Sequence, residues 1–199
     1  MGYPDFFNRV ESIKLQDPLA LVLGAFENGE YEISYEEVVK AAGHSCPTVA
    51  GAYIMTQEAL KVLYPDSRAV RGNVEVFFEE SLEEGVAGVI ANVVTHIIGA
   101  TDKSGFKGLN GQFARHSLMH FNADIDASAR FTRRDTQKSV DVNYNHTAVL
   151  PNPAMMPLMK KLGTGEATSE DVKEFGKLWQ ERVQRIFENL DAVLEVTEL

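Results

Sequence analysis

Residues 43–47 read Gly-His-Ser-Cys-Pro and place a histidine two positions before the single cysteine of the chain. Proline suits the first turn of a helix, so Cys46 is expected at the N-cap, where the first helix amides stabilise an anion. A thiolate gains that stabilisation, which makes the Cys46 sulfur a better nucleophile and metal ligand. His44 can place its ring on the same side of so tight a turn, and imidazole with thiolate suits zinc. The spacing also fits a buried, inert cysteine beside a structural histidine.

The other four histidines offer further ligands, although each is more often a non-ligand when taken singly. His96 lies near the C-terminal end of a predicted small-residue helix and faces a glycine-rich loop. His116 and His120 are four residues apart and share one face of a helix or a strand, but no glutamate lies between them as in the H-E-x-x-H zinc motif. His146 lies in a polar stretch and is expected at the surface.

The loop over residues 103–108 could place backbone amides and Lys107 near an anion. It lacks the P-loop pattern, and a lone Gly-Lys pairing is common in ordinary loops. The sequence contains no Gly-x-Ser-x-Gly elbow and no Rossmann fingerprint. Lys107 is therefore a candidate for binding a cofactor or another anionic ligand, without a motif to support it.

Helix boundaries are marked clearly around the Gly-His-Ser-Cys-Pro turn. Residues 34–37 form a capping box that opens a helix ending at Gly43, the residue best suited to a left-handed C-terminal cap. A second helix begins at Pro47 and runs to Leu63, before Pro65. His44, Ser45 and Cys46 therefore form the connection between two helices.

Strand periodicity appears in the remaining part of the first 150 residues. Apolar residues alternate over 74–79, and three further alternating segments at 118–125, 129–134 and 139–144 predict an antiparallel meander. A mostly apolar helix is expected over 86–98, followed by a loop to residue 112. This order predicts an α+β fold in which helices pack on a mostly antiparallel sheet.

The composition changes after Tyr144, where prolines among methionines indicate an extended segment. A long helix then begins at residues 168–171 and carries apolar side chains with i, i+3, i+4 spacing. Such a helix packs against a partner subunit or back on its own domain, and the pattern leaves both open. We therefore predict a core domain over 1–150 and a proline-rich tether with a protruding C-terminal helical arm over 151–199.

Composition limits the class of partner and the location. With 29 acidic and 19 basic residues the net charge is −10, which disfavours binding to nucleic acid. The arginines of residues 130–134 are more often a solvated strand face than a nucleic-acid site. No apolar run reaches the roughly 20 residues that span a bilayer, so no membrane partner is expected. One cysteine forms no intrachain disulfide, and no secretory signal opens the chain, which predicts a cytoplasmic protein.

Residues 36–47, followed by Gly51-Ala52-Tyr53, resemble the G-H-x-C-P-x3-G-Y signature of the FmdE family, which takes its name from formylmethanofuran dehydrogenase. The likeness continues through the loop 99–108, the hairpin 134–138 and the helix start 165–171, and spans roughly residues 30 to 190. Family members commonly carry further cysteines where Ala87 and Ala100 stand here, and often an appended C-terminal zinc finger. This sequence has neither.

The resemblance implies an α+β core, a homodimer whose helical arms pack on the partner, and a cleft that holds His44 and Cys46, often with a metal. Because the family's further cysteines are absent, a metal must recruit other ligands, and His96 is the first choice since it adjoins the same loop. A divalent metal is expected, with zinc as the best fit. The catalytic work of formylmethanofuran dehydrogenase belongs to its other subunits, so the family name does not define a function.

Two functions from different classes fit these residues. The favoured one is a metal-binding FmdE-like accessory protein of redox or one-carbon metabolism, with His44 and Cys46 as ligands. The alternative is a metal-dependent or cysteine-dependent hydrolase or transferase that acts on a small molecule, with His44 as base. No carboxylate falls inside the signature itself, which favours binding, but the residues leave open whether the protein is an enzyme.

Overall fold

Helices and strands alternate along the chain in the structure, a computed structural model that describes residues 2–199. The α-helices in these residues are α1 Pro18–Val22, α2 Tyr35–Ala42, α3 Pro47–Leu63, α4 Ala87–Ile98, α5 Met155–Thr164, α6 Ser169–Glu188 and α7 Leu190–Val193. The strands are β1 Ile13–Gln16, β2 Glu30–Ile33, β3 Ala69–Val70, β4 Val74–Phe78, β5 Met119–His120, β6 Ala129–Arg133, β7 Ser139–Tyr144 and β8 Leu194–Glu198. Short 3-10 turns occupy Asp5–Arg9, Glu27–Gly29 and His146–Ala148.

Two sheets organise these strands. The larger has the order β5-β4-β6-β7-β8, and every neighbouring pair except β4 with β5 is antiparallel. The smaller has the order β2-β1-β3, with β1 antiparallel to β2 and parallel to β3. The α+β fold with helices on a mostly antiparallel sheet is therefore confirmed. The smaller sheet was not predicted, because its strands are only two to four residues long.

The predicted three-strand meander is wrong in its first strand. β6 and β7 pair antiparallel across the expected turn, but β5 pairs parallel with β4, through Val76 and Met119, on the side of β4 away from β6. Only residues 119–120 of the predicted segment 118–125 form a strand, and Asn122 has a left-handed backbone with φ +56°. Alternation of apolar residues reports which side chains are covered, but it does not identify the neighbouring strand.

α3 is the centre of the core. It is apolar on nearly all sides and packs against α4, α6 and β7. Its fully buried side chains include Val49, Tyr53, Ile54, Met55 and Leu63. A helix apolar all round is a buried helix, and within residues 2–199 none of the helices is long and apolar enough to cross a membrane. The position of α3 places its first residues, which follow the candidate site, against the main sheet.

The C-terminal region forms a helical arm whose far end returns to the core. α5 packs mainly on α6, and both α5 and the first half of α6 are largely exposed. The second half of α6 buries Leu178, Val183 and Ile186, and β8 then joins the main sheet beside β7. The protruding arm is confirmed, β8 was not predicted, and the domain division near residue 150 stays a prediction.

The arginines of β6 and of the turn after it are paired with carboxylates. Arg130 makes a bidentate contact with Asp141 at 2.6 and 2.8 Å. Arg133 contacts Asp135 at 2.7 Å, and the next residue in the chain, also an arginine, lies 3.3 Å from Glu75. Their charges are therefore matched on the surface of the sheet, which agrees with the interpretation of residues 130–134 as a solvated strand face.

Candidate functional site

The candidate site begins at the turn between α2 and α3. The capping box predicted at the start of α2 is present: Glu37 N lies 3.3 Å from Ser34 Oγ, and the Glu37 carboxylate accepts from Ser34 N at 2.8 Å. α2 ends at Gly43, whose φ of +77° is the left-handed conformation that glycine adopts without strain. Pro47 occupies the first position of α3. The predicted helix boundaries around residues 34–47 are confirmed.

Cys46 is the N-cap of α3, as predicted. Its Sγ accepts a hydrogen bond from Val49 N at 3.4 Å, so the sulfur lies over the first turn of the helix. The side chain is half-buried and packs against the core. Burial raises the pKa of both Tyr35 and Tyr144, and the nearby Cys46 contributes to the shift in each. The thiol therefore faces two tyrosines and the body of the domain.

His44 is exposed and turns back toward α2. Its Nδ1 lies 3.1 Å from the carbonyl oxygen of Ala42. When Nδ1 carries the proton, it donates to this carbonyl and leaves Nε2 with a free lone pair. A backbone carbonyl that orients one ring nitrogen while the other binds a metal is the usual arrangement of metal-ligating histidines.

A cleft of about 460 Å³ separates α2 from α4, and both His44 and His96 line it. The remaining walls are mainly aliphatic, and the full lining is Val38, Ala41, Ala42, His44, Val89, Asn92, Val93, Thr95 and His96. Cys46 is not part of this lining. The structure therefore brings two histidines that are far apart in the sequence to one cleft, and it places the thiol outside that cleft.

His96 is held in an environment that favours its neutral form. Burial lowers the pKa of His96, the positive charge of Arg71 lowers it further, and Glu37 opposes the shift. Arg71 also donates to the carbonyls of His96 and Ile97, both at 3.1 Å, and so caps the C-terminal end of α4. Neutral imidazole is the form that binds metals, so His96 is ready to act as a ligand near neutral pH.

A buried charge cluster fixes this end of α4, and the sequence gave no sign of it. Asp17 and Arg115 are both buried and form an ion pair, and Arg71 reaches the same carboxylate with a distance of 3.4 Å. These three residues come from the start of α1, the end of β3 and the loop after α4. Isolated charges far apart in sequence carry no signal of pairing, so only the fold reveals the cluster.

The fit of these residues to a metal is partial. Across residues 2–199 no group of three or more histidine, cysteine, aspartate or glutamate side chains is close enough to hold one ion. The predicted set therefore divides into two imidazoles on one cleft, from His44 and His96, and a thiol at Cys46 that is bonded to an α3 amide. The role of the three as metal ligands stays a prediction.

The remaining predicted candidates lie away from the cleft lining. Lys107 is exposed in the irregular loop after α4, and no hydrogen bond or ion pair in the described part of the chain involves its ammonium group. This loop is held by its own backbone, because Thr101 N donates to Arg115 O and Arg115 N donates to Phe106 O. Lys107 as a cofactor-binding residue stays a prediction.

His116, His120 and His146 have separate surroundings. His116 contacts the hydroxyl of Ser117 at 3.0 Å in the loop. His120 stacks on Phe77 across the β4–β5 pair, with ring centroids 4.7 Å apart. His146 is exposed, as expected. None of the three lines the cleft between α2 and α4.

The fold and the turn define the class of protein: an α+β domain with a histidine–cysteine turn between two packed helices. Residues 41–195 match the family model described as FmdE, molybdenum formylmethanofuran dehydrogenase operon, and the chain belongs to this family. The resemblance seen in the sequence is confirmed. A similar solved structure is an FmdE-like protein of tungsten formylmethanofuran dehydrogenase type from Syntrophus aciditrophicus, with 13% identity and a TM-score of 0.45 over 84% of this chain and 72% of that chain. No curated protein matches the chain.

Proposed function

We propose that this FmdE-family protein is an accessory protein of redox or one-carbon metabolism that binds a divalent metal in the cleft between α2 and α4. The observation that carries the proposal is that His44 and His96 line one cleft. Its volume of about 460 Å³ falls in the range of ligand pockets. Zinc is the best fit, because imidazole nitrogen is one of its preferred ligands.

The chemistry of the cleft suits an open coordination shell. The tie between His44 Nδ1 and the Ala42 carbonyl orients one imidazole, and burial keeps the other neutral. Two imidazoles leave positions for water, a small-molecule ligand or a group from a second copy of the chain. The aliphatic wall formed by α2 and α4 would contact the apolar part of such a small molecule.

Binding is favoured over catalysis by Cys46 as a nucleophile. A base must reach the proton that it removes, whereas the His44 ring is bonded to the Ala42 carbonyl and lines a cleft that Cys46 does not line. The thiol is engaged with the Val49 amide. Cys46 would have to leave that amide before it could join either a metal or a reaction.

Metal analysis of substituted proteins tests the proposal. We expect His44→Ala and His96→Ala each to lower zinc affinity by at least about tenfold, because even outer-shell partners of a metal contribute that much. The measurement is calorimetric titration of metal-free protein, together with elemental analysis after dialysis. His116→Ala is the matched control, since His116 is outside the cleft lining. Equal zinc binding in the wild type and all three variants, or none in any, contradicts the proposal, and Cys46→Ala shows whether the thiol joins the site.

We also propose that the helical arm pairs two copies of the chain into a homodimer. Large apolar side chains are exposed along α5 and the first half of α6, with exposures of 67% for Met156, 46% for Met159, 37% for Leu162 and 50% for Val172. α5 packs on α6 alone among the major elements. A second arm would cover this surface, and contiguous apolar surface of this kind marks interaction sites.

The arm is tested by charge substitution rather than by truncation. Removal of residues after 150 would also remove β8 and the buried Val183 and Ile186, so a truncated chain would lose part of its core. We expect Met156→Glu with Val172→Glu to weaken dimerisation by at least about tenfold, because two carboxylates would be buried without partners. Sedimentation velocity over a concentration series measures this. Leu23→Glu, at a residue 64% exposed in another region, is the control, and an unchanged dimer in the double variant contradicts the proposal.

A further inference from the structure

The carbonyl of Ser45, between His44 and Cys46, is held by α6. Trp179 Nε1 donates to it at 2.9 Å and Gln180 Nε2 donates to it at 3.2 Å. Ser45 is buried, and its hydroxyl lies 2.9 Å from the Tyr35 hydroxyl. We call the two donors Trp179 and Gln180, with the carbonyl that they share, the Ser45 clamp. It joins residues separated by more than 130 positions in the chain.

The Ser45 clamp acts on the peptide unit that positions the candidate site. The Ser45 carbonyl lies in one rigid plane with the amide of Cys46, so two hydrogen bonds to the carbonyl fix the orientation of that plane. The Cα atoms of Ser45 and Cys46 belong to this plane, and His44 precedes it directly. A change in the clamp therefore changes the directions of the His44 and Cys46 side chains.

The donors of the clamp lie on the same helix as the arm. α6 is one uninterrupted helix of 20 residues, about 30 Å long, with its first half in the arm. Lys161 of α5 forms an ion pair with Asp171 at 2.7 Å and ties the two arm helices together. Because a helix moves as a unit, displacement of the arm is transmitted to Trp179 and Gln180.

The glutamine of the clamp is incompletely bonded. Its Nε2 donates to Ser45, but its buried Oε1 accepts no hydrogen bond from any residue of the described chain. Leucine at this position would remove a donor and an unpaired acceptor together, and such paired removal costs a fold little. Gln180→Leu therefore separates loss of the clamp from loss of the fold.

We propose that Trp179 and Gln180 are positioning residues which set the orientation of His44 and Cys46, so that the seating of the arm controls the candidate site. The control of metal affinity rests on the proposed function, whereas the control of the turn does not. The effect on Cys46 is measured in metal-free protein and stands or falls without zinc.

The experiment measures the rate at which an aromatic disulfide reagent modifies Cys46 in metal-free protein. Gln180→Leu and Trp179→Phe each remove one donor, and we expect each to raise the rate roughly fivefold, the factor that corresponds to one net hydrogen bond. The matched control is Gln184→Leu, which breaks a bond from the same helix to Glu188 and should leave the rate unchanged. Unchanged rates in both clamp variants overturn the proposal; if Trp179→Phe fails to fold, Gln180→Leu alone decides.

A spectroscopic readout extends the test to the metal. Trp179 is the only tryptophan of the chain, so its emission reports the clamp directly. We expect added zinc to change the emission of the wild type, and Gln180→Leu to weaken zinc binding at least about threefold while Gln184→Leu does not, since coupling between two sites is reciprocal. Zinc that binds equally to the wild type and Gln180→Leu overturns the coupling. Faster modification of Cys46 with no zinc bound to any protein supports the clamp and removes the proposed function.

Discussion

Asp17→Asn is expected to lower the free energy of unfolding by about 3–5 kcal/mol, the usual cost of leaving a buried charge without its partner. Asp17 and Arg115 are buried, with side-chain exposures of 7% and 8%, and Arg71 shares the same carboxylate. Burial lowers the pKa of Arg115, and Asp17 opposes that shift. Asparagine keeps the size of the side chain but leaves two guanidinium groups around a neutral amide.

The second role of Asp17 permits a matched comparison. Asp17 Oδ1 also accepts from Leu19 N at 2.9 Å and so caps α1. Asparagine retains this N-cap, whereas Asp17→Ala loses both roles and should cost about 1 kcal/mol more. Glu58→Gln, which breaks a surface pair with Lys61, should cost less than about 1 kcal/mol. Urea unfolding at neutral pH measures all three, and an Asp17→Asn protein as stable as Glu58→Gln would contradict the role of the buried cluster.

Gly51→Ala is expected to destabilise the protein by about 1–3 kcal/mol, the cost of overpacking a core. Gly51 lies inside α3, where alanine would ordinarily stabilise a helix by up to about 1 kcal/mol. An added Cβ would lie within the Tyr144 ring, which crosses the helix at this point. Tyr144 is anchored by a hydrogen bond from its hydroxyl to the Pro47 carbonyl at 2.7 Å, so the ring cannot move away without breaking that bond.

Two further substitutions decide whether the clash is the cause. Gly176→Ala, in α6, places its Cβ where no atom lies within 4 Å, so it should stabilise the protein by up to about 1 kcal/mol. Tyr144→Leu removes most of the ring, and Gly51→Ala should cost much less in that background. Thermal unfolding of the wild type, the Gly51→Ala and Tyr144→Leu variants and their double variant gives the interaction energy between the two sites. Full additivity would show that the ring and the added methyl group do not compete.

Local chemistry made half of the candidate site predictable. Capping and proline preferences act within four residues, so the end of α2 at Gly43, the start of α3 at Pro47 and the N-cap role of Cys46 followed from the sequence. The direction of the His44 ring did not follow, because it depends on a bond to the Ala42 carbonyl and on the position of α4. The expectation that imidazole and thiol face one point used spacing along the chain, and side-chain directions are set by tertiary contacts.

The same division explains the fold. Helices with strong end signals were predicted to within about one residue, as for α3 and α4. The strands β5 and β8 were not, because pairing partners far away in sequence determine them: β5 is two residues long beside β4, and β8 follows a helix without a break beyond α7. Trp179 was recognised as part of an apolar helix face, but its bond to Ser45 depends on where α6 docks.

The order of the main sheet has a consequence for synthesis on the ribosome. The outer edge of β7 is completed by β8, which follows it by about 50 residues and emerges several seconds later at a translation rate of roughly 5–20 residues per second. Until then, the unpaired amides and carbonyls of β7 can pair with a neighbouring nascent chain. α6 lies within the same interval, so Ser45 also meets its donors only after most of the polypeptide has emerged. The turn that carries His44 and Cys46 is therefore made early and fixed late.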